Sequence, residues 1–427
     1  MPAPAALAHA EDLADFVAAS PSSFHAAAEV ARRLTDAGFT TLREGEEWPA
    51  QPGGRFVVVR DGAVIAWIVP GSATRATAVR VFGAHSDSPG FALKPKPTTG
   101  RLGWLQAGVE VYGGPLVNSW LDRELRLAGR LVLEDGTQVL AATGPLLRLP
   151  QLAIHLDRSA NDALTLDKQS HTQPVWGLGE TESADLLGEI ARTAGVDASR
   201  IRGYDLVTAD AARGVVFGAD DAFFAAGRLD DLASVHAGVV ALEHASDGFD
   251  GADIAMLAVF DHEEVGSATR SGASGPFLSD VIERIHLSLD MDRDAQHRAL
   301  SRSWCVSSDV GHAVHPNYPE KHDPVVQPRL GSGPILKINA NQRYATDGVG
   351  AAAWHGWCAA AGIAAQEFVS NNAVPCGSTI GPLTAARLGI RTVDVGIPIL
   401  SMHSARELAG VTDLHALARV AEAYFVG

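Results

Sequence analysis

From residue 228 onward, the sequence alternates between helical and strand patterns. The run Ile254–Phe260 is apolar throughout, which is typical of a strand buried on both faces of a sheet. Asp230–His244, which precedes it, has apolar side chains at helical spacing. The same alternation predicts strands at Ile285–Leu289, Trp304–Ser308, Ile363–Val369 and Thr392–Ile397 and helices at Val349–Ala361, Thr379–Leu388 and Leu414–Phe425. Strands that alternate with helices predict the α/β class, with a mostly parallel sheet sandwiched by helices.

The part of the chain before residue 228 contains two regions that differ in composition and in predicted secondary structure. Its first 92 residues predict helices over 4–19 and 24–37, a hairpin of Arg55–Arg60 and Ala63–Val69, and a strand at Ala78–Ala84. From 93 to 223 the chain instead has short strand-like runs, many glycines and prolines, and a polar loop at Ser159–Thr172. We therefore predict a discontinuous main domain of residues 1–92 and 224–427, with a β-rich domain of residues 93–223 inserted in it.

The charge balance and the cysteines limit the class of protein. Lys and Arg total 34 and Asp and Glu total 50, so the formal net charge is −16. Such an acidic surface repels phosphate backbones, so no nucleic acid partner is expected. The longest apolar runs are too short to span a bilayer, and the N-terminus does not resemble a signal peptide. Three cysteines without a CxxC pair favour a reducing compartment, so we predict a cytoplasmic protein with no membrane partner.

Metal-binding side chains follow the predicted strands, at the ends where an open α/β sheet binds its ligands. The residues come from five segments: His85 and Asp87, Asp230 and Asp231, Glu263 and Glu264, Asp309, and His403. Each has an ordinary explanation when taken alone, such as a helix N-cap for Asp230 or solvated surface acids for the two glutamates. Five such coincidences at one edge of a sheet are not expected, so the pattern predicts a metal site.

The adjacent pair Glu263-Glu264 indicates hydrolysis assisted by a metal. This chemistry needs one carboxylate on the ion and a second, free carboxylate that takes a proton from the attacking water and passes it to the leaving group. Neighbouring glutamates at a strand end can divide these roles. Asp87, two residues after His85, can accept the imidazole N–H and orient the ring.

Eight sequence blocks, in a fixed order, resemble those of a known family. They are GAHSDSPG at 83–90, GRLDDL at 227–232, FDHEEVGS at 260–267, SDVGHAVHPNY at 308–318, KIN at 337–339, QRYAT at 342–346, NAVPCGSTIGP at 372–382 and MHSARE at 402–407. The chain resembles the aspartyl aminopeptidase family of dinuclear zinc exopeptidases from about residue 20 to its C-terminus. The resemblance implies a catalytic domain of the zinc exopeptidase type, an inserted dimerisation domain, and a homo-oligomer that is a tetrahedral dodecamer built from dimers.

The resemblance also implies a role for each matching residue. It implies two zinc ions per subunit, with the metal ligands His85, Asp230, Glu264, Asp309 and His403. Glu263 matches the general base, and Asp87 matches the aspartate that supports the first histidine. Lys337 and Tyr344 match residues near the substrate. His155 resembles a histidine that the inserted domain lends to the active site of a neighbouring subunit.

Two positions depart from the family pattern without removing a ligand. The familiar Arg-Leu-Asp-Asn is Arg-Leu-Asp-Asp here, so Asp231 places a second carboxylate beside Asp230. The familiar Asp-Asn-Glu-Glu has His262 as its second residue. Either aspartate could bridge the two ions, and the register of the motif favours Asp230.

The predicted function is a zinc-dependent aminopeptidase that releases an N-terminal Asp or Glu from peptides, with Lys337 as the cation of the substrate pocket. A preference for neutral N-terminal residues is the alternative, because a net charge of −16 gives acidic peptides no long-range attraction. A dinuclear zinc deacylase and a non-catalytic metal-binding assembly protein are further alternatives. A non-catalytic protein has no need of Glu263 beside Glu264. The ligand types suit zinc, and cobalt or manganese is also compatible with one position.

Overall fold

A computed structural model of the chain describes residues 1–49, 52–246 and 248–427. The helices are α1 (Pro4–Ala19), α2 (Ser23–Asp36), α3 (Leu186–Ala194), α4 (Leu229–Ser246), α5 (Phe277–Ser288), α6 (Arg293–Leu300), α7 (Gly348–Ala361), α8 (Ile380–Leu388) and α9 (Val411–Val426). Within the described ranges, no helix combines the length and the apolar character needed to cross a bilayer.

The described residues form 21 strands. The strands up to residue 210 are β1 (Thr40–Leu42), β2 (Arg55–Arg60), β3 (Ala63–Ile68), β4 (Val79–His85), β5 (Gly90–Arg101), β6 (Trp104–Tyr112), β7 (Glu124–Leu133), β8 (Gln138–Ala142), β9 (Leu147–Arg148), β10 (Val175–Leu178) and β11 (Ile201–Asp210). The strands after residue 210 are β12 (Val215–Phe217), β13 (Phe223–Ala226), β14 (Ile254–Phe260), β15 (Trp304–Ser308), β16 (Gly311–His312), β17 (Ile335–Ile338), β18 (Gln366–Val369), β19 (Arg391–Gly396), β20 (Pro398–Leu400) and β21 (Glu407–Gly410).

The first sheet has nine strands among the described residues, in the order β1-β2-β3-β14-β4-β15-β19-β17-β18. Its four central strands, β14, β4, β15 and β19, run parallel to one another. Antiparallel pairings flank this centre, between β3 and β14 and between β17 and β19. The sheet is therefore mixed, within an α/β fold, and the predicted parallel arrangement holds at its centre.

Helices cover both faces of the first sheet because both faces are apolar. Every residue of β14 is buried, as its uninterrupted apolar sequence predicts. Leu257 and Val259 belong to a core that includes side chains of α1, α2, α4, α7 and α9. Met256 and Ala258 point to the opposite face, into a core shared with α5 and α8. Because side chains on both faces are packed against helices, the positions of the strands are fixed. The site described below lies at one edge of this sheet.

The predicted strand at Ile285–Leu289 is wrong, because Ile285–Ser288 form the end of α5 and Leu289 is its C-cap. Apolar side chains at 285, 287 and 289 are also compatible with a strand. In the structure Leu287 is 60% exposed, whereas Val281, Ile282 and Ile285 are buried. The buried positions thus follow helical spacing along the whole of α5, and the last five residues alone are too short to show that period.

Residues between Gly90 and Asp210 form a second, antiparallel sheet. Its seven strands, counted over the described residues, have the order β11-β5-β6-β10-β9-β7-β8. It has its own apolar core, which includes Phe91, Leu127 and Leu206 as well as Ile190 of α3. A third sheet, in the order β12-β13-β21-β20-β16, joins segments that are distant in sequence. In it β13, which leads into α4, pairs with β21.

Candidate metal centre and active site

Three neighbouring parallel strands end at one edge of the first sheet and bring predicted ligands there. Phe260, the last residue of β14, pairs with His85, the last residue of β4. Asp309 follows directly after β15, which pairs with β4 on its other side. Glu263 and Glu264 lie in a single helical turn just after β14 rather than in an extended segment. The sequence-based expectation that strand ends collect these side chains agrees with the geometry.

Asp230 and His403 reach the same edge from the third sheet. Asp230 lies in the first turn of α4, where the backbone is not yet helical. His403 lies in the loop between β20 and β21. Asp230 is placed between two imidazoles, with His85 Nε2 at 3.2 Å from its Oδ1 and His403 Nε2 at 3.4 Å from its Oδ2. His403 Nε2 is also 3.4 Å from Glu264 Oε2.

The ligand atoms form two groups that share Asp230. His85, Asp230 and Glu264 each bring one ligand atom within 4.8 Å of the others, and so do Asp230, Asp231 and Asp309. Three buried oxygens in these groups, Asp230 Oδ1, Asp231 Oδ1 and Glu264 Oε1, accept no hydrogen bond from the part of the chain that the structure describes. Buried carboxylate oxygens without donors are stabilised either by protonation or by a bound cation. The residues therefore fit divalent metal ions, and the imidazoles suit zinc.

The electrostatics of the centre indicate the same need for a cation. Burial raises the pKa of the Glu264 and Asp309 carboxyls above their usual range. Burial alone would also raise the pKa of Asp230, but the imidazoles of His403 and His85 hold it below its usual range. Against the opposing effect of burial, Asp230 raises the pKa of His403 to about 9. A metal bound here would displace the protons of these imidazoles and supply positive charge in their place.

Glu263 is placed differently from the candidate metal ligands. It belongs to neither ligand group, and its side chain is half-buried. Burial, together with the neighbouring carboxylates of Asp309 and Asp230, raises the pKa of its carboxyl to about 7. A free carboxyl beside the metal ligands is the arrangement that proton transfer during hydrolysis requires.

Asp87 contacts the two glutamates more closely than the histidine it was predicted to orient. Its carboxylate accepts the backbone N–H of Glu263 at 3.0 Å, the N–H of Glu264 at 3.1 Å and the hydroxyl of Tyr112 at 2.8 Å. His85 Nδ1 is 3.1 Å from the Asp87 backbone carbonyl and 3.5 Å from its carboxylate. Asp87 therefore contacts the imidazole mainly through its main chain, while its side chain fixes the turn that carries the glutamates.

Glu407 is a residue of the centre that the sequence reasoning missed. It is buried, and its Oε2 accepts the backbone N–H of Asp230 at 3.0 Å while its Oε1 accepts that of His403 at 2.7 Å. One carboxylate thus fixes the main chain of two candidate ligands that are far apart in sequence. Its signal in the sequence is its place at the end of the MHSARE block at 402–407, which does not reveal these contacts.

Replacing Glu407 by Gln is expected to weaken zinc binding. Gln has nearly the same shape, but its NH2 group would face one of the two backbone N–H donors and leave that donor unpaired. We expect zinc affinity to fall by about ten- to hundredfold, the range for residues that orient metal ligands, as measured by competition with a chelator. Asp413→Asn is a matched control, because Asp413 is also buried and accepts two backbone N–H groups, from Gly331 and Gly333. Equal losses in the two variants would contradict a specific role for Glu407.

Lys337 and Tyr344 lie beside Asp309. Lys337 is buried, and its Nζ donates to the carbonyl oxygen of Val310 at 2.8 Å and lies 3.7 Å from Asp309 Oδ2. The same Nζ is 5.5 Å from the centre of the Tyr344 ring. Tyr344 lines a cavity of about 260 Å³ whose lining also includes His312, the last residue of β16. The structure therefore brings both residues to the edge of the metal centre.

A larger cavity, of about 440 Å³, lies on the side of His403 and Glu407. Its lining contains several carboxylates, among them Asp61, Asp87 and Asp261. Among the described residues that line the smaller cavity, by contrast, there is no Asp or Glu. The larger cavity is also lined by Arg130, Arg228 and Arg270, of which Arg130 and Arg270 are ion-paired with Asp61.

His155 does not join the centre within its own chain. It is exposed, in the segment between β9 and β10. It lines neither of the two cavities described above. The apolar side chains of Leu152, Ile154 and Leu156, on both sides of it, are also exposed.

Known proteins are similar to this chain over nearly its whole length. The family described as aminopeptidase I zinc metalloprotease (M18) matches residues 16–425. The chain belongs to the M18 family. It is therefore a zinc metalloprotease of the aminopeptidase type, which confirms the resemblance and the enzyme class predicted from the sequence. The deacylase and non-catalytic alternatives receive no support from this assignment.

Individual relatives agree with the family assignment of this M18 aminopeptidase. The "Probable M18 family aminopeptidase 2" of Streptomyces coelicolor is 51% identical over 420 residues, which cover 97% of each chain. A chain in the cryo-EM structure of the Ape4 and Nbr1 complex has a TM-score of 0.95 and 34% identity, covering 98% of this chain and 86% of that one. The S. cerevisiae mApe1 dodecamer has a TM-score of 0.85 and 30% identity, covering 97% of this chain and 96% of that one.

Proposed function

We propose that this M18 aminopeptidase releases an N-terminal Asp or Glu from peptides. The supporting observation is the cavity of about 260 Å³ beside Tyr344. Lys321 and the three histidines His312, His315 and His322 line it, and no carboxylate of the described chain does. These lining side chains can donate hydrogen bonds, and no carboxylate of the cavity competes for them. The cavity therefore favours a substrate side chain that ends in a carboxylate over an apolar side chain of similar size.

Lys337 is the cation that we assign to this preference. Burial, together with Lys337, lowers the pKa of His312 to about 4, so this histidine is uncharged at neutral pH. Lys321 is exposed, and solvent and salt screen its charge. Lys337 is instead buried next to Tyr344, where its charge acts through protein rather than water.

Replacing Lys337 by Met is expected to remove the acidic preference. The variant keeps the length of the side chain and loses its charge, so kcat/KM for an aspartyl amide is expected to fall at least about tenfold more than kcat/KM for a leucyl amide. The comparison is a ratio within one protein, so a loss of metal through the neighbouring Asp309 cancels. Lys321→Met is the matched control and is expected to leave the ratio within about twofold, because exposed charges contribute little. Equal loss on both amides in Lys337→Met would contradict the role of Lys337 in selectivity.

We also propose how the residues divide the work of hydrolysis. Two zinc ions per subunit would be held by His85, Asp230, Glu264, Asp309 and His403, and would supply Lewis acidity toward the scissile carbonyl and the attacking water. Glu263 accepts the proton of that water and delivers it to the departing amine. Asp87 holds the turn that carries Glu263, and Glu407 holds the main chain of Asp230 and His403.

We propose that the chain assembles as a tetrahedral dodecamer built from dimers, with residues 93–223 as the dimerisation domain. The mApe1 dodecamer, to which the chain is similar over 97% of its length, supports this proposal. Exposed apolar side chains beside His155, such as Leu152 and Leu156, suit a segment that is covered in an assembly. In the assembly His155 would enter a neighbouring active site and stabilise the oxyanion that forms at the scissile carbonyl.

Mixing two inactive variants tests whether His155 acts on a neighbouring subunit. Oligomers of His155→Ala alone lack the donated histidine, and oligomers of Glu263→Gln alone lack the base. Co-assembled subunits would contain some sites with Glu263 from one chain and His155 from its neighbour. Activity of the mixture is therefore expected to rise well above that of either variant, measured on an aspartyl amide after dissociation and reassembly. A mixture no more active than the mean of the two variants would contradict donation between subunits.

A further inference from the structure

Asp394 is a fully buried carboxylate on β19 that belongs to neither ligand group and does not itself line the cavity of about 260 Å³. Its Oδ1 accepts the hydroxyls of Ser307 at 2.6 Å and of Thr379 at 2.5 Å. Its Oδ2 accepts the backbone N–H of Ala345 at 2.6 Å. Burial raises the pKa of the Asp394 carboxyl, and these hydrogen bonds and Lys337 oppose the rise. Both oxygens are therefore occupied, by donors from three separate segments of the chain.

One contact of Asp394 fixes the cavity wall that contains Tyr344. Ala345, whose N–H Asp394 accepts, directly follows Tyr344 in the chain. The next residue, Thr346, accepts the backbone N–H of Asp394 through its Oγ1 at 2.9 Å. The two residues after Tyr344 are thus tied to one position of β19, and Tyr344 itself lines the cavity.

Another contact of Asp394 fixes the cavity wall formed by residues 374–377. These residues line the cavity, and Thr379 follows them two positions later. The Thr379 hydroxyl donates to Asp394 and accepts the backbone N–H of Gly381 at 3.3 Å, which caps the N-terminus of α8. Gly381 lies so close that a Cβ at this position would be 2.3 Å from both Asp394 oxygens. The start of α8 is therefore packed directly against Asp394.

We propose that Asp394 is a positioning residue for substrate selection, which holds both walls of the cavity that takes the N-terminal side chain of the peptide. The inference rests on the proposed function only in that this cavity receives that side chain, and not on whether the side chain is acidic. The walls also contact each other through Arg343, which is exposed and donates to the carbonyl oxygen of Gly377 at 3.2 Å. Hydrogen bonds to a carboxylate are stronger than those between neutral groups, and Asp394 is the buried contact that the two walls share.

The test changes the partners of Asp394, because removing this buried carboxylate itself would leave three donors unpaired and endanger folding. Thr379→Val keeps the shape of the side chain but loses the hydroxyl, and Thr346→Val does the same on the wall of Tyr344. Each variant is expected to raise KM for an aspartyl amide at least about fivefold, with kcat changed by less than about twofold. KM for an alanyl amide is expected to change less than about twofold, because a methyl side chain makes few contacts with the walls.

Three matched variants separate this role from a general loss of stability. Thr379→Ser restores the hydroxyl and is expected to keep KM for the aspartyl amide within about twofold of the wild type. Ser307→Ala also removes a hydrogen bond to Asp394, but Ser307 lies on β15 and leads to neither wall, so KM is expected to stay unchanged. Asp292→Ala removes the N-cap of α6 and is expected to leave KM unchanged, which controls for the loss of a helix cap in Thr379→Val.

The outcomes distinguish this proposal from the proposed function. Unchanged KM in both Val variants, a loss confined to kcat, or equal rises of KM for the aspartyl and alanyl amides would overturn the role of Asp394. An equal rise in Ser307→Ala would overturn it as well. If the wild type prefers a leucyl amide, that amide replaces the aspartyl one, so failure of the acidic preference leaves the test of Asp394 intact.

Discussion

Replacing Glu263 by Gln is expected to lower kcat/KM by a factor of about 10²–10⁴ while the zinc content of the protein stays unchanged. Gln has nearly the shape of Glu but cannot take a proton from water. Glu263 belongs to neither ligand group, so its side-chain charge is not needed to hold a metal. The turn that carries it depends on backbone N–H donors to Asp87, which the substitution retains.

The measurement for Glu263 combines zinc analysis with steady-state kinetics on the same preparation. Glu283→Gln is the matched control, because Glu283 is a largely exposed glutamate on α5 whose loss of charge is expected to change neither quantity. Near-full activity of Glu263→Gln with normal zinc would show that another group is the base. Loss of zinc together with activity would place Glu263 among the ligands instead.

Replacing Asp230 by Asn is expected to remove both metal ions and all measurable activity. Asp230 is the residue shared by the two ligand groups, whereas Glu264 belongs to one group and Asp309 to the other. Glu264→Gln and Asp309→Asn are therefore expected to retain about one zinc ion per subunit, and Asp230→Asn about none. Removing a direct carboxylate ligand costs more than removing a residue that only orients one, for which about ten- to hundredfold is usual.

Zinc per subunit after dialysis against a weak chelator measures this difference among the three variants. The expected order of retained zinc is Glu264→Gln and Asp309→Asn together, followed by Asp230→Asn. If Asp230→Asn retains as much zinc as the other two, Asp230 is not shared, and its neighbour Asp231 becomes the candidate for that place. Thermal unfolding of each variant with and without zinc checks that the loss is not caused by unfolding.

The centre of the fold could be predicted because its signals are local and strong. An unbroken apolar run such as Ile254–Phe260 has one stable location, between two layers of helices, and parallel strands end at a common edge. His85, Glu263, Glu264 and Asp309 could therefore be placed together from the positions of the strands along the chain. The strand predicted at Ile285–Leu289 failed because five residues at the end of a helix are too few to distinguish a period of 3.6 from a period of two.

The supporting contacts of the site could not be predicted because they depend on folding in three dimensions. Glu407 acts by accepting the backbone N–H of Asp230, and no spacing within the chain indicates that contact. Tyr112, at the end of β6 in the second sheet, donates to Asp87 in the connection between β4 and β5. Asp87 itself was assigned to the imidazole by proximity in sequence, whereas the glutamate N–H groups are its closer partners. Sequence patterns pointed to the candidate ligands, and the structure was needed to find the contacts that hold them.

The ratio of kcat/KM for an aspartyl amide to that for a leucyl amide, on zinc-reconstituted wild-type protein, tests the central claim most directly. The cavity beside Tyr344, with its histidines and the nearby Lys337, predicts a ratio well above one. A ratio below one, with measurable turnover, would contradict the acidic preference and assign the chain to aminopeptidases that prefer neutral N-terminal residues.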